Sequence, residues 1–418
     1  MSSRSEPGEP FAAAAETHTA AVYFAGDRAY KLKKPIRTGF LDFSTTTSRA
    51  QACHRETELN RRFAPDVYLG VGEIRAPTAD PAESLVVMRR MPSARRLASL
   101  VEAGHPVGEP LRQVARQLAV QHAAARRGSE ITHQGSRDAL IGRWRDNFAE
   151  MRQLAKTADV ELEISEIERL AERFLAGRQP LLADRMQAGR IVDGHGDLLA
   201  EDIFCLDDGP RILDCLEFDD RLRWLDGLDD AAFLAMDLDR LGRPDLAEQF
   251  IDWYAEFTAD PAPASLRHHY VAYRALVRAK VCCIRAGQEQ PQAMSTARQL
   301  ADLALRQLIQ LRCEVPPELN RAGKLLARGE SVILDASRTS AALAARRLQA
   351  RAGDASDAGP DVAERMAAAA DPWPDATPID TSGRGSRDIT PLQRALDAIR
   401  PYGPDHAWRA ARPYMLPG

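Results

Sequence analysis

The residues with the clearest chemical pattern are acidic and closely spaced. His195-Gly196-Asp197-Leu-Leu-Ala-Glu-Asp202 is followed, after the turn Asp207-Asp208-Gly209-Pro210, by Ile212-Leu-Asp214-Cys-Leu-Glu217. Phosphoryl transfer uses such a set. It needs a carboxylate to orient and deprotonate a hydroxyl, oxygen ligands for a Mg2+ that bridges nucleotide phosphates, and a cation on those phosphates. Asp197 falls in a loop, as a base facing a cleft would. Asp202 follows five residues later and Asp214 is expected on the next strand. The two can share a metal site because the ion offsets their repulsion.

A candidate cation is also present. The 418-residue chain has 56 Lys and Arg, yet only six are lysines, and three of these are Lys31, Lys33 and Lys34. Strand alternation puts Lys31 and Lys33 on one face and Lys34 on the other. A solvated basic strand end is the plain alternative.

These residues need a scaffold, and the sequence outlines one. Residues 1–16 read as a loose start. Ala20–Phe24 and Arg28–Lys33 flank Gly26-Asp27 and read as a hairpin. Residues 45–63 predict a helix, with Cys53, Glu56, Leu59 and Phe63 at helical spacing. Val67–Ile74 and Ser84–Met91 read as further strands, so residues 1–95 predict a small mixed sheet with one helix. The amphipathic segments 109–127, 138–156 and 164–188 predict helices. Ile191–Leu198 has no helical period, Arg211–Phe218 reads as a strand, and helices resume from 228 to 312. Ser331–Ala336 reads as a short buried strand before an Ala/Arg-rich helix, and order should fall beyond 352.

The pattern H-G-D-x-x-x-x-[N/D] followed by I-x-D resembles the catalytic and metal motifs of the aminoglycoside phosphotransferase family. Its members have a protein-kinase-like fold and phosphorylate hydroxyls of small molecules. Tyr30-Lys-Leu-Lys-Lys-Pro35, Phe40-Leu-Asp-Phe-Ser44, Leu59-Asn-Arg-Arg62, Ala64-Pro65, Tyr68-Leu-Gly70 and Phe233-Leu-Ala-Met-Asp237 are similar to one bacterial branch. That branch comprises uncharacterised phosphotransferase-like proteins, often fused to a C-terminal P-loop kinase-like domain. The resemblance covers residues 16–310. It implies an α+β, two-lobed protein-kinase-like fold: a nucleotide-binding lobe over 1–95 and a helical lobe with the catalytic loop over 96–312. A truncated P-loop-kinase-like remnant would occupy 313–418.

Carried over residue by residue, the resemblance implies Asp197 as catalytic base, His195 as a hydrogen-bonding brace, and Asp202 and Asp214 as Mg2+ ligands. A lysine on the third strand should contact the ATP phosphates and pair with a glutamate on the next helix. Lys31 is the first choice and Lys33 the second; Glu56 is the expected partner, ahead of Glu58. The adenine should meet backbone at the connection after Leu85–Met91, which brings Met88 to the nucleotide. Glu16-Thr-His-Thr19 could cover the phosphates but lacks G-x-G-x-x-G, and His18 reads as an ordinary loop histidine. The family's usual Asn is Asp202 here, which adds negative charge beside the phosphates. The implied activity uses ATP and Mg2+ on an unidentified small-molecule acceptor. The alternative is a nucleotide-binding pseudokinase with a regulatory role.

Bulk features narrow the classes. With 28% charged and 44% hydrophobic residues, the chain reads as globular. A net charge of -4 gives no general field for nucleic acid or anionic membrane. No apolar run reaches membrane-spanning length, and the first residues lack a secretory pattern. The six cysteines form no C-x-x-C pair, so free thiols in a cytoplasmic setting are expected. The acidic run Glu217, Asp219, Asp220, Asp226, Asp229 and Asp230 reads mostly as a solvated loop with helix N-terminal carboxylates. Tyr273–Lys280 reads as a packed helix with a charged face. No G-x-x-x-x-G-K-[ST] occurs, although Gly329–Ser337, Ser356–Ala358 and Asp371–Pro374 resemble late parts of the fused domain. Without a phosphate-cradling loop, no ATPase or kinase activity is expected of 313–418.

Overall fold

The computed structural model describes residues 10–17, 19–37, 41–75, 82–158, 164–287 and 292–313. The chain divides into two compact units, Met1–Ala171 with Leu182–Leu308, and Glu172–Leu181 with Ile309–Gly418. The acidic motifs and the lysines all belong to the first.

That unit begins with β1 (Ala12–Glu16), β2 (Ala20–Ala25), β3 (Arg28–Lys33), helix α1 (Thr46–Asn60), β4 (Tyr68–Ile74) and β5 (Glu83–Arg89). The strands form one antiparallel sheet in the order β1-β2-β3-β5-β4. The expected hairpin is present, and Gly26 takes a positive φ of 58° at its turn. The start of the chain was expected to be loose, yet β1 forms there. Its alanine run has little strand preference of its own. It pairs residue by residue with β2, from Ala12 opposite Ala25 to Glu16 opposite Ala21, so partner edge outweighs propensity.

β3 is central and buries Ala29, Lys31 and Lys33 on one face. Two of those three positions hold charge where a core strand would hold apolar side chains. α1 covers them. Thr45 caps this helix by accepting the Ser48 N–H at 3.0 Å. Its buried side is partly polar: Arg49, Glu56, Thr57 and Asn60 accompany Cys53 and Leu59. An apolar cluster of Cys53, Val67, Tyr68, Val86, Phe204 and Leu213 ties this sheet to the chain near the acidic motifs.

The helical part follows as α2 (Leu97–Glu102), α3 (Gly108–Ala124), α4 (Ser129–His133), α5 (Arg137–Ala158), α6 (Ile164–Ala176) and α7 (Gln179–Gln187). The helix expected over 164–188 is broken at Gly177-Arg178. Short strands β6 (Ile191–Asp193), β7 (Ile203–Leu206), β8 (Gly209–Ile212) and β9 (Trp224–Asp226) then form two small antiparallel pairs, β6 with β9 and β7 with β8. α8 (Gly227–Arg240), α9 (Pro244–Thr258), α10 (Ala264–Ala286) and α11 (Ala293–Cys313) follow; the end of α6, the start of α7 and the end of α11 belong to the second unit. The strand expected over 211–218 stops at Ile212, so Asp214 lies beyond it rather than on it.

Every residue of α8 from Gly227 to Leu238 is buried, Asp229, Asp230 and Asp237 included. The solvated reading of the acidic run therefore fails for Asp226, Asp229 and Asp230; each has internal partners. Asp226 caps α8 through the Leu228 N–H at 2.9 Å and receives a two-pronged Arg185 at 2.7 and 2.5 Å. The same guanidinium also bonds Asp260. Arg274 of α10 holds Asp229 through two bonds of 2.7 Å. The helix-terminus reading does hold for their position.

Among the described residues no helix is long and apolar enough to cross a membrane. The expectations for His18 and for residues 314–418, Ser331–Ala336 included, lie outside the described residues.

Arg185 offsets two buried carboxylates, and losing it leaves both unpaired. Arg185→Met should cost about 3–5 kcal/mol of stability, measured by urea unfolding. A loss below about 1 kcal/mol would show that water relieves the pair.

Candidate functional site

The lysines and acids meet in one chain of alternating charge. Lys31 Nζ lies 2.5 Å from Asp214 Oδ1 and 2.9 Å from Glu56 Oε1. Lys33 Nζ lies 2.5 Å from Glu56 Oε2 and pairs with Glu217. The expected alternation thus brings both lysines to Glu56, whereas Glu58 pairs with Arg55 at an exposed position. Lys31 alone meets Asp214. Burial would raise Glu56, but Lys31 and Lys33 outweigh it and hold the carboxyl below its usual range. Burial would lower Lys31, but Asp214 and then Glu56 push it well up. Lys31, Lys33, Glu56 and Asp214 are therefore charged at neutral pH.

Asp214 takes a positive φ of 64°, which a non-glycine residue adopts rarely and Asp more readily than most. Its backbone N–H donates to the Tyr68 hydroxyl at 3.1 Å. The next residue is gripped by Asn60 at the end of α1: the Cys215 N–H donates to Asn60 Oδ1 at 2.8 Å, and Asn60 Nδ2 donates to the Cys215 carbonyl at 3.4 Å. These bonds turn the chain out of the strand that the sequence suggested.

Asp197 sits in the loop after β6, and that loop is built on Asp230. The backbone N–H groups of His195 and Gly196 donate to Asp230 at 2.6 and 2.9 Å. His122 Nε2 meets the same Oδ2 that the His195 N–H reaches, at 2.9 Å. A Cβ at Gly194 would lie 2.4 Å from Asp230, so only glycine fits. Gly196 takes φ 86°. His195 is wholly buried. A carbonyl can only accept, so Nε2–H donates to the Leu213 carbonyl at 3.1 Å. Nδ1 then accepts the Asp197 N–H at 3.4 Å. The ring is neutral, links the loop to the residue before Asp214, and acts as a positioning residue. Burial lowers the imidazole to about 4.

The acids carry complementary protonation tendencies. Burial raises Asp197 against the pull of Arg278, whose guanidinium lies 3.6 Å away. Burial, then Asp214 and Asp197, raises Asp202 well up. Among the described residues no hydrogen-bond or ion-pair partner meets the Asp202 carboxylate. Lys31 outweighs burial and holds Asp214 down. The donor set suits Mg2+, a hard cation: Asp202 has no ion-pair partner among the described residues and sits in the field of Asp214. Among the described residues no three His, Cys, Asp or Glu side chains form a ready cage. Asp202 and Asp214 would supply two oxygens, with phosphates and water completing the shell.

Met88 lies within β5, paired with Ala29 on one side and Tyr68 on the other, and packs on the apolar cluster. The connection after β5 starts at Arg90. Sequence reasoning missed Tyr68, Asn60, Asp230 and Arg278. Asp230 was visible in the acidic run, Asn60 and Tyr68 in the motifs shared with the resembled branch, and Arg278 in the charged helix face, but none showed its partner, which is distant in sequence.

No family model matches the chain. It is 51% identical over 289 residues to uncharacterized proteins of Mycobacterium tuberculosis and Mycobacterium bovis, a match covering 69% of this chain. The chain spans 58% of the length of those relatives. Among solved structures it is similar to a choline kinase from Cryptosporidium parvum, with 11% identity, 78% of this chain and 92% of that chain covered, and TM-score 0.45. A choline/ethanolamine kinase family protein from Mesorhizobium loti shows 15% identity over 76% of this chain and 92% of that one, with TM-score 0.43.

The buried neutral His195 gives a stability signature. Unfolded, the imidazole takes a proton near pH 6.5; folded, only near 4. Stability should fall as pH drops through this window, by up to about 3 kcal/mol. The raised Asp197 and Asp202 act in the opposite direction, so the readout is a difference. Urea unfolding of His195→Gln should show a smaller loss between pH 6.5 and 4 than the wild type. An equal loss would overturn the assignment.

Proposed function

We propose that the chain is a phosphotransferase that moves the γ-phosphoryl group of ATP to a hydroxyl of a small molecule. The observation that carries this reading is Lys31, held at once by Glu56 of α1 and by Asp214. A five-stranded antiparallel sheet, with one helix between its third and fourth strands, supports a two-lobed protein-kinase-like reading. In it residues 1–95 form the nucleotide lobe and 96–312 the helical lobe, in a cytoplasmic enzyme. Residues 313–418 are proposed to have no phosphotransfer activity of their own.

The chain's residues divide the work. Lys31 places a point charge on the ATP phosphates, kept in position by Glu56. Lys33 ties Glu56 to Glu217 and so fixes the segment after Asp214. Asp202 and Asp214 would hold Mg2+, which when bound offsets charge on the phosphates. Asp197 faces the acceptor hydroxyl and takes its proton; burial makes it a better base than an ordinary aspartate. His195 and Asp230 hold Asp197 in place. The base edge of the nucleotide meets backbone at the end of β5, near Met88.

A second reading has one observation behind it. Asp202 stands where the resembled family has Asn, and its extra charge suits a nucleotide-binding pseudokinase as well as a metal-demanding enzyme. One experiment separates them. Mg·ATP binding is followed by thermal shift, and phosphorylated product by labelled ATP, across a panel of small alcohols. Asp197→Ala should reduce transfer by about 10²-fold or more and retain Mg·ATP binding. Wild-type binding without transfer favours the pseudokinase; no binding overturns both.

The lysines have distinct expected outcomes. Lys31→Arg should weaken Mg·ATP binding at unchanged charge, because a planar fork cannot replace a point ammonium between two carboxylates. Lys33→Arg should act mainly on stability. The reverse pattern in thermal-shift titrations would exchange their roles.

A further inference from the structure

A cavity of about 210 Å³ is lined by Glu201, Asp237, Arg240, Arg278, Cys282 and Arg285 among others, and Arg278 links it to the proposed base. Arg278, Cys282 and Arg285 recur at helical spacing and share one face of α10. Arg278 reaches from that face to within 3.6 Å of Asp197.

The charges of this cavity are not evenly committed. Asp237 is buried and used: it accepts the Ala200 N–H at 2.9 Å and Arg240 Nε at 2.7 Å. That leaves Arg278 and Arg285 against Glu201. Among the described residues the Arg278 guanidinium makes no hydrogen bond, and the 3.6 Å approach to Asp197 is longer than one. Arg285 is exposed, with no ion pair among the described residues. A nearly buried guanidinium with idle donors fits a planar or tetrahedral oxyanion, which it can grip with two N–H groups. A cationic acceptor would meet this guanidinium as its nearest neighbour at the base.

We infer that the acceptor is a small alcohol carrying a carboxylate or phosphate near its reacting hydroxyl, and that Arg278, with Arg285, receives that anion. The inference rests on the phosphotransferase reading, since it takes Asp197 as the base. Arg278 then does two things. It fixes the acceptor so that the hydroxyl lies against Asp197, and it leaves Asp197 for the anion when the acceptor enters.

The full-length protein, loaded with Mg·ADP, is titrated calorimetrically with glycerate, glycerol 3-phosphate, glycerol, choline and kanamycin. At least one anionic alcohol should bind, and glycerol, choline and kanamycin should bind at least tenfold more weakly. The arm that binds tells carboxylate from phosphate. Arg278→Gln should weaken the anion at least tenfold, Arg278→Lys less, with Mg·ATP affinity unchanged in both. Labelled-ATP assays on the same panel should follow the same order. Preference for choline or kanamycin, binding of neither anion, or unchanged anion binding in Arg278→Gln overturns the inference. So does loss of Mg·ATP affinity in that variant, which would make Arg278 a nucleotide contact. Absence of Mg·ATP binding in the wild type sinks the phosphotransferase reading instead, whatever the anions do.

Discussion

A carboxylate shut off from water sets the terms for the rest of the site. Glu56 cannot stay ionised in the interior without cations beside it, since an isolated buried charge costs several kcal/mol. Lys31 and Lys33 supply them, and each then requires a second carboxylate, found in Asp214 and Glu217. The result is an alternating chain that joins the central strand, the helix over it and the segment after β8. No member can be removed without leaving a neighbour uncompensated. The sheet and the acidic segment are therefore held in register by charge as much as by the apolar cluster beneath them.

Asp230 plays the corresponding part for the loop that carries Asp197. It is placed by a helix buried on all sides, and it binds two successive backbone N–H groups and a histidine. Burial would raise this carboxyl; His122 and the His195 N–H hold it well below the usual range instead. The loop is thus held by backbone contacts to a residue outside it, and the Asp197 carboxylate takes no part in that anchoring. His195 completes the link by bonding both the loop and the Leu213 carbonyl.

Local pattern made much of this legible. The alternation of Lys31 and Lys33, the spacing of Cys53, Glu56 and Leu59, and the turn at Gly26 all follow from short-range geometry, and the structure has each. What escaped was set by pairing between distant segments. β1 exists because β2 offers an edge. Asp214 leaves the strand because Tyr68 holds its N–H and Asn60 holds the backbone of Cys215 beside it. Asp226, Asp229 and Asp230 looked like surface acids because their partners Arg185, Arg274 and His122 lie tens of residues away. A run of aspartates near a helix start reads alike whether water or arginine faces it. Only the apolar surroundings of α8, with Phe233-Leu-Ala-Met236 following directly, hinted at burial.

The left-handed backbone at Asp214 puts two independent filters on one codon. Its conformation admits glycine, asparagine and aspartate at little strain and penalises nearly everything else. Its ion pair with Lys31 demands a carboxylate. Asparagine passes the first filter and fails the second, and glutamate does the reverse. Aspartate is the one residue type that meets both. At Asp202 no such backbone condition applies, so that position can drift between Asn and Asp on chemistry alone. The two proposed metal ligands thus differ in how freely sequence can vary, for a reason written in the backbone and not in the metal.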